Sequence, residues 1–295
     1  MPPRHAALAV CIAIAWGINF VAIDVGLESF PPLLFVAVRF VATVLPAIFF
    51  VGRPGTGWKV VVGVGLFTST GQFALLFVAI DQGLPAGLAS LVLQVQAVFT
   101  IGLAVVLLGE RPSLRQVVGA LVAGCGIVVI ALGRGGDVAL LALLACVLAG
   151  ASWGAGNIVT RRARPQAPLA LVVWSSLIPP IPLAALSYGF EGPEAWGDAF
   201  SGLDLSGVLA LAYLVVVATF FGYGRWAWLM ARHPASTVAP FTLLVPVVGI
   251  SAAWLALGER PGALELLGAT VVLAGLVLVT GVATGGRRRR PAPAG

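Results

Sequence analysis

The sequence has few of the residues from which enzymes build active sites. Only 9% of its 295 residues are charged, and it contains 2 histidines and 3 cysteines. His5 and His233 have no paired metal-ligand spacing, and the chain has neither a GxSxG motif nor a phosphate-binding loop. Cys11, Cys125 and Cys146 all lie in apolar runs, which is typical of small packing residues rather than of a disulfide framework. We therefore expect no enzyme, no cofactor and no metal site.

Hydrophobic residues dominate the chain instead. They make up 60% of it, and the mean hydropathy of +1.05 is too high for a soluble domain. Apolar runs of about 20 residues, long enough to cross a bilayer, recur at 6–26, 32–51, 60–80, 86–108, 114–132, 138–160, 168–188, 207–230, 235–257 and 263–282. Because lipid cannot hydrogen-bond a backbone, such runs must be helical. The sequence predicts an all-α membrane protein with ten transmembrane helices.

The positive charges are unevenly distributed. The net charge is +6, and most lysines and arginines lie in alternate loops that also share a side with both termini. Cytoplasmic termini would satisfy the positive-inside rule in an inner (plasma) membrane. The arginine run at 287–290 would face anionic lipid. The charge excess thus indicates the lipid bilayer as partner and argues against nucleic-acid binding.

The sequence contains an internal repeat. "LLGERPSLRQVVGA", from Leu107, returns as "ALGERPGALELLGA" from Ala256, and "WGINF" at Trp16 resembles "WGAGN" at Trp153. We interpret residues 1–136 and 137–284 as two five-helix halves, followed by a basic tail at 285–295. Since five is odd, the second half would enter the membrane upside down, giving inverted repeats.

Inverted repeats predict alternating access around a central site. If the two halves exchange conformations, a cavity open to one side becomes open to the other. The repeated Glu-Arg-Pro segments form hairpin corners on opposite sides in this scheme. Glu110 and Glu259 are then either structural corner residues or gate residues that pair with arginines.

The chain resembles the EamA-type members of the drug/metabolite transporter superfamily. The likeness covers essentially the whole chain and rests on "AWGINFVAIDVGLESFPPLLFVAVRF", "LGERP" and "LAGASWGAGNIVTRRA". "PAGLASLVLQ" and "ALVVWSSLIP" are most similar to bacterial exporters of cysteine and O-acetylserine. The resemblance implies a secondary exporter of small amino acids or their metabolites, with other amphipathic compounds such as aromatic amino acids as the alternative. Members of this family often have a basic residue at the position of Asp24, so the chain departs from the family pattern there.

Polar and aromatic side chains inside the spans are the candidate substrate-binding residues, because each must face a neighbouring helix, water or cargo. They are Trp16, Asn19, Phe20, Arg39, Thr68, Gln72, Gln94, Trp153, Asn157, Trp174, Ser175 and Tyr223. The two Trp–Asn faces can supply hydrogen bonds to an amino acid, or they can bond helix to helix. Since α-helical positions two apart face opposite ways, at most one of Gln94 and Gln96 should point squarely at the cavity, and the other should bond to a neighbouring helix. The resemblance favours Gln94 for the cavity.

Arg39 is the most informative of the candidate site residues, because a charged side chain inside a span needs a partner. It lies roughly 12 Å along its span, where an unpaired guanidinium is costly. Three interpretations are open: an ion pair with Asp24, receipt of a substrate carboxylate, or snorkelling to the interface.

Energy coupling has one candidate. Asp24 is the carboxylate closest to the middle of a span, so export is either proton-coupled through Asp24 or follows the gradient of the cargo. A channel would present charged rings or a filter loop, and neither is visible. We expect a monomer or homodimer with a small-molecule substrate.

Overall fold

The computed structural model describes residues 1–134, 137–233 and 238–280, and within them the secondary structure is helical, without strands. The all-α prediction is confirmed for this part of the chain. Several predicted features lie outside the described residues: the boundary at 136/137 in part, the start of the ninth run at Ala235, the end of the tenth at 282, and the tail.

The helices follow the predicted apolar runs. In chain order they are α1 Pro3–Leu27, α2 Pro32–Ala47, α3 Trp58–Asp81, α4 Ala86–Leu108, α5 Leu114–Arg134, α6 Asp137–Ala163, α7 Pro168–Phe190, α8 Pro193–Ser201, α9 205–232, α10 Leu244–Leu257 and α11 Ala263–Thr280. Proline-containing residues 176–179 interrupt α7, and α8 is a short surface helix between α7 and α9.

Seven of the described helices are long and apolar enough to cross a membrane: α1, α3, α4, α5, α6, α7 and α9. The other three predicted runs correspond to the shorter apolar helices α2, α10 and α11. Ten crossings and cytoplasmic termini therefore stay predictions. We call the end of the bundle at which α1 begins the N-terminal end.

Helix packing has a two-fold pattern. Suppose that α1 to α5 correspond in order to α6, α7, α9, α10 and α11. In three of these pairs the two counterparts then pack against each other: α2 with α7, α4 with α10, and α5 with α11. The contact between α1 and α10 is equivalent to the contact between α6 and α4. The contact between α1 and α9 is likewise equivalent to the contact between α6 and α3. The cavity described below lies among these contacts.

Departures from α-helical geometry also occur in counterpart helices. α3 is π-helical over Gly65–Gly71 and α9 over Tyr213–Tyr223. α4 has a 3₁₀ turn at Leu93–Val95, and α10 is preceded by one at Ala239–Leu243. Such stretches leave backbone groups open to bonds outside the helix and often occur at functional sites.

The π-helical stretches accept hydrogen bonds from the other half. The carbonyl of Ala218 accepts from the indole Nε1 of Trp16 at 3.0 Å, and the carbonyl of Phe67 accepts from the Ser152 hydroxyl at 2.7 Å. Trp16 lies on the first helix of the first half, and Ser152 on the first helix of the second. The first helix of each half is thereby bonded to the third helix of the other.

The repeated LGERP segments form the predicted corners. Gly109 and Gly258 end α4 and α10 in the left-handed conformation, with φ of +66° and +69°, where a residue with a Cβ is strained. In the first corner, Ser113 and Gln116 bond reciprocally and begin α5.

Glycine allows α5 and α11 to pack closely. A Cβ on Gly275 would lie 2.5 Å from the Ala123 backbone nitrogen, whereas a Cβ on Gly124 would meet nothing within 4 Å. We expect Gly275→Ala to lower the free energy of unfolding by about 1–3 kcal/mol through overpacking. Gly124→Ala should be neutral or stabilising, because alanine favours helix. Melting temperatures of the purified proteins in detergent check this, and equal melting temperatures for the two variants would contradict it.

Candidate functional site

A cavity of about 380 Å³ lies between the two halves. Most predicted site residues line it: Trp16, Asn19, Phe20, Arg39, Thr68, Gln72, Gln94, Trp153, Asn157 and Tyr223. Thr68, Gln94, Tyr223 and the unpredicted Thr242 lie on the four non-α stretches. These departures from regular geometry therefore supply part of the polar lining.

Three predicted residues do not line this cavity. Trp174 turns away from it, donating to the Gly52 carbonyl at 3.0 Å and packing edge-to-face against Trp58. Ser175 is buried, and its hydroxyl donates to the Val172 carbonyl. α3 packs directly against it, since a Cβ on Gly65 would lie 2.8 Å from the Ser175 carbonyl oxygen.

Asp24 is the third residue outside the cavity. It lies on α1 near the end opposite the N-terminal end and is half-buried. An ion pair with Arg39, one of the three interpretations that the sequence left open, is wrong: the structure has no salt bridge between these two described residues. The reason is orientation, because Arg39 on α2 points toward α3 and α9 rather than toward Asp24.

Gln94 and Gln96 both line the cavity, so the prediction that at most one would face it is wrong, whereas the prediction that the other bonds to a neighbouring helix is confirmed for Gln96. The cause is the 3₁₀ turn at Leu93–Val95. Successive side chains are rotated by about 120° around the axis of such a turn, so side chains two positions apart point in more similar directions than they do in an α-helix. Gln96 also accepts a hydrogen bond from Asn157 Nδ2 at 2.8 Å. Asn157 therefore both lines the cavity and bonds α6 to α4.

Aromatic rings form one wall of the cavity. Trp16 packs against Tyr223 and Trp226, with centroid distances of 5.2 Å to each. Sequence reasoning missed Trp226, although it follows Tyr223 by three positions and so shares its helical face. It also missed Thr160, which extends the Trp153–Asn157 face by one turn.

Arg39 borders the cavity and is only 2% exposed. Its guanidinium carbon lies 4.2 Å from the ring centroid of Phe73 and 5.6 Å from that of Phe40. One terminal nitrogen donates to Thr219 Oγ1 at a long 3.5 Å, while Nε and Nη1 have no partner. Snorkelling is thus excluded, because the charge is held inside the protein. Phe73 carried no polar signal by which the sequence could have identified it.

Unpaired acceptors lie on the same cavity. Asn19 Oδ1 and Gln72 Oε1 are buried without a hydrogen-bond partner, as is the Thr43 hydroxyl one turn from Arg39. A buried polar atom left unpaired costs about 1–3 kcal/mol. Buried donors and buried acceptors are therefore both unsatisfied at this one site.

The cavity is displaced toward the N-terminal end. Its lining reaches Thr160, three residues before the end of α6, and Pro168, the first residue of α7. No described lining residue lies in the last helical turn at the opposite end. Across residues 1–134, 137–233 and 238–280 there is also no group of three or more His, Cys, Asp or Glu side chains suited to a metal.

A family model described as the EamA-like transporter family matches residues 4–132 and 140–281. The chain is 41% identical over 284 residues to a probable amino-acid metabolite efflux pump of Salmonella typhimurium, covering 94% of this chain and 95% of that protein. It is 42% identical over 285 residues to a protein of the same description in Escherichia coli, with the same coverage.

A solved crystal structure has a similar fold. It superposes with a TM-score of 0.66 and covers 97% of this chain and 100% of its own, at 21% sequence identity. At that identity the likeness concerns the fold alone.

The unpaired guanidinium generates a stability prediction. Arg39→Met removes a buried charge while keeping a long side chain, so we expect a melting temperature higher by a few degrees, from relief of about 1–3 kcal/mol. The same change at the exposed Arg225 of α9 is the matched control and should have no effect. Thermal unfolding in detergent without substrate measures both. A lower melting temperature for Arg39→Met would show that its aromatic contacts outweigh its unpaired nitrogens.

Proposed function

The chain belongs to the EamA-like transporter family, and we propose that it exports small amino acids or their metabolites, of the cysteine and O-acetylserine class, by alternating access around the cavity. It is a multi-pass inner-membrane transporter. The two relatives described as amino-acid metabolite efflux pumps support the class of cargo. The cavity supports the chemistry by which such a cargo is held.

The unpaired groups of the cavity are the observation that carries this proposal. Arg39 offers unsatisfied donors and a positive charge, which suit a carboxylate. Asn19 Oδ1 and Gln72 Oε1 offer unsatisfied acceptors, which suit an ammonium group. A zwitterionic amino acid carries both groups on one carbon. Its binding would satisfy donors and acceptors of the protein together, and this differential gain is what makes an apolar cavity selective.

Charge balance supports the same cargo. Arg39 is the one charged residue in the described lining of the cavity, which has no acidic side chain. A cationic cargo would bring a second positive charge into a low-dielectric site. A carboxylate compensates the guanidinium, and the neutral amides hold the ammonium without adding a charge.

The size of the cavity keeps a second candidate cargo open. Its volume of about 380 Å³ exceeds what a small amino acid fills, and Trp16, Trp153, Tyr223 and Trp226 contribute aromatic surface. These rings favour aromatic amino acids or other amphipathic metabolites as the alternative, with the same carboxylate contact at Arg39.

Transport in proteoliposomes tests the proposal. We expect saturable uptake and counterflow of labelled cysteine or O-acetylserine, and no transport of cysteamine, which lacks the carboxylate. Arg39→Gln should raise KM roughly 10- to 100-fold, the range of a lost charge-assisted hydrogen bond. Arg225→Gln should stay within about twofold of the parent, since loss of an exposed charge contributes little. Absence of saturable flux for every amino acid in a panel would overturn the substrate class.

Asp24 remains the candidate for proton coupling, outside the cavity and without a salt bridge in the described structure. If export is proton-coupled through Asp24, Asp24→Asn should abolish the response of uptake to an imposed pH gradient while substrate binding persists. Uptake is compared with and without the gradient in the same vesicles. An unchanged response would remove Asp24 from the mechanism and favour export down the gradient of the cargo.

A further inference from the structure

The two copies of the LGERP corner make different contacts. Glu259 of the second copy lies against the beginning of α4 in the first half. Its Oε1 accepts from the Ala86 amide at 2.6 Å and its Oε2 from the Gly87 amide at 3.0 Å. These amides belong to the first turn of a 23-residue helix, where no backbone acceptor is available. A carboxylate there also interacts favourably with the helix dipole.

Glu110, the counterpart in the first copy, is at the N-terminal end of the bundle. It forms a salt bridge with Arg161 at 2.9 Å, and both side chains are largely solvated, at 41% and 55% exposure. An exposed pair of this kind contributes little. Both corners therefore contact a helix of the opposite half, but only Glu259 binds the backbone amides at the start of a helix, whereas Glu110 forms a solvated ion pair at the end of α6.

The Glu259 corner is at the end of the bundle that the described lining of the cavity does not reach. Gly87 allows the close approach, because a Cβ there would lie 3.1 Å from Glu259 Oε2 and 3.1 Å from the Ile250 Cα of α10. A second carboxylate from the second half acts similarly at this end: Glu191 accepts from the Leu33 and Leu34 amides, at 2.6 and 3.1 Å, where α2 begins.

Asp204 adds a third carboxylate link at the same end. It accepts from the Gly207 amide at 2.9 Å and from the Ser29 hydroxyl at 3.0 Å. Hydrogen bonds from the Gly207 amide, the Ser206 hydroxyl and the Ser29 hydroxyl, in that order of size, lower the pKa of Asp204. Thus the second half is linked to the first half through three carboxylate side chains, at the end of the bundle that the described cavity lining does not reach.

We propose that Glu259 is a gate residue: its paired bonds to Ala86 and Gly87, here called the Glu259 latch, hold the end opposite the N-terminal end shut and must break for the cavity to open there. Glu110 is the matching residue for the alternate conformation. This inference rests on the alternating-access part of the proposed function and is independent of the cargo.

The test uses accessibility of the cavity rather than transport. In a background without Cys11, Cys125 and Cys146, Val245→Cys places a reporter on the cavity wall, where the residue is 5% exposed. Phe200→Cys, at a residue 55% exposed in α8, identifies in a separate protein the membrane face that carries Glu259. A membrane-impermeant maleimide is then applied from that face to cells or vesicles of defined orientation.

We expect Glu259→Gln to speed labelling of Val245→Cys from the Glu259 face roughly tenfold, because glutamine is neutral and has one acceptor oxygen where the carboxylate has two. Glu110→Gln is the matched control, the same change in the same motif, and should leave that rate unchanged or lower it. Gly87→Ala disturbs the latch from the other partner and should act in the same direction as Glu259→Gln.

Equal labelling rates for the parent, Glu259→Gln and Gly87→Ala would overturn the proposal, as would equal acceleration by Glu110→Gln. Size-exclusion profiles confirm that each variant is folded, and Gly87→Ala keeps the proposal testable if Glu259→Gln is not. The labelling requires no substrate. If the labelling rates change as expected but no amino acid is transported, the proposed substrate class is wrong. If amino acids are transported but the labelling rates do not change, the proposed Glu259 latch is wrong.

Discussion

Because the hydrocarbon of a bilayer forms no hydrogen bonds, the polar groups of this bundle must find their partners within the protein. The main features of the structure follow from that constraint. The first amides of α4 find the carboxylate of Glu259, and the carbonyl of Ala218, released from regular geometry by a π-helical stretch, finds the indole of Trp16. Arg39 is the conspicuous exception, with two nitrogens unpaired beside a cavity. A transporter site has to contain such an exception, since groups already paired with one another have nothing left to offer a cargo.

The non-α stretches connect the repeat to the site. Each half has a π-helical stretch in its third helix and a 3₁₀ turn in or before its fourth, and polar residues on all four line the cavity. Both irregularities alter the direction of side chains within one turn. They place Thr68 and Gln94 on the cavity from one half, and Tyr223 and Thr242 from the other.

Much of the candidate site followed from one rule, that a polar side chain in an apolar run needs a partner. The rule identified Arg39, Asn19 and Gln72 before any geometry was known. It failed for Trp174 and Ser175, because it does not say whether the partner is a cavity, a loop carbonyl or the helix itself. It was also silent about Phe73 and Trp226, whose rings carry no unmet polar requirement, and the assumption of regular α geometry misjudged Gln94 and Gln96.

The sequence by itself determined the helical class, the approximate helix bounds and the repeat, because length, hydropathy and self-similarity are properties read along the chain. It could not determine which faces meet, since that depends on contacts between residues more than a hundred positions apart. Only the tertiary structure decided that Arg39 turns from Asp24 toward Phe73 and Thr219, and that Glu259 meets α4 while Glu110 meets Arg161. Identical motifs acquire different contacts because the two ends of the bundle are packed differently.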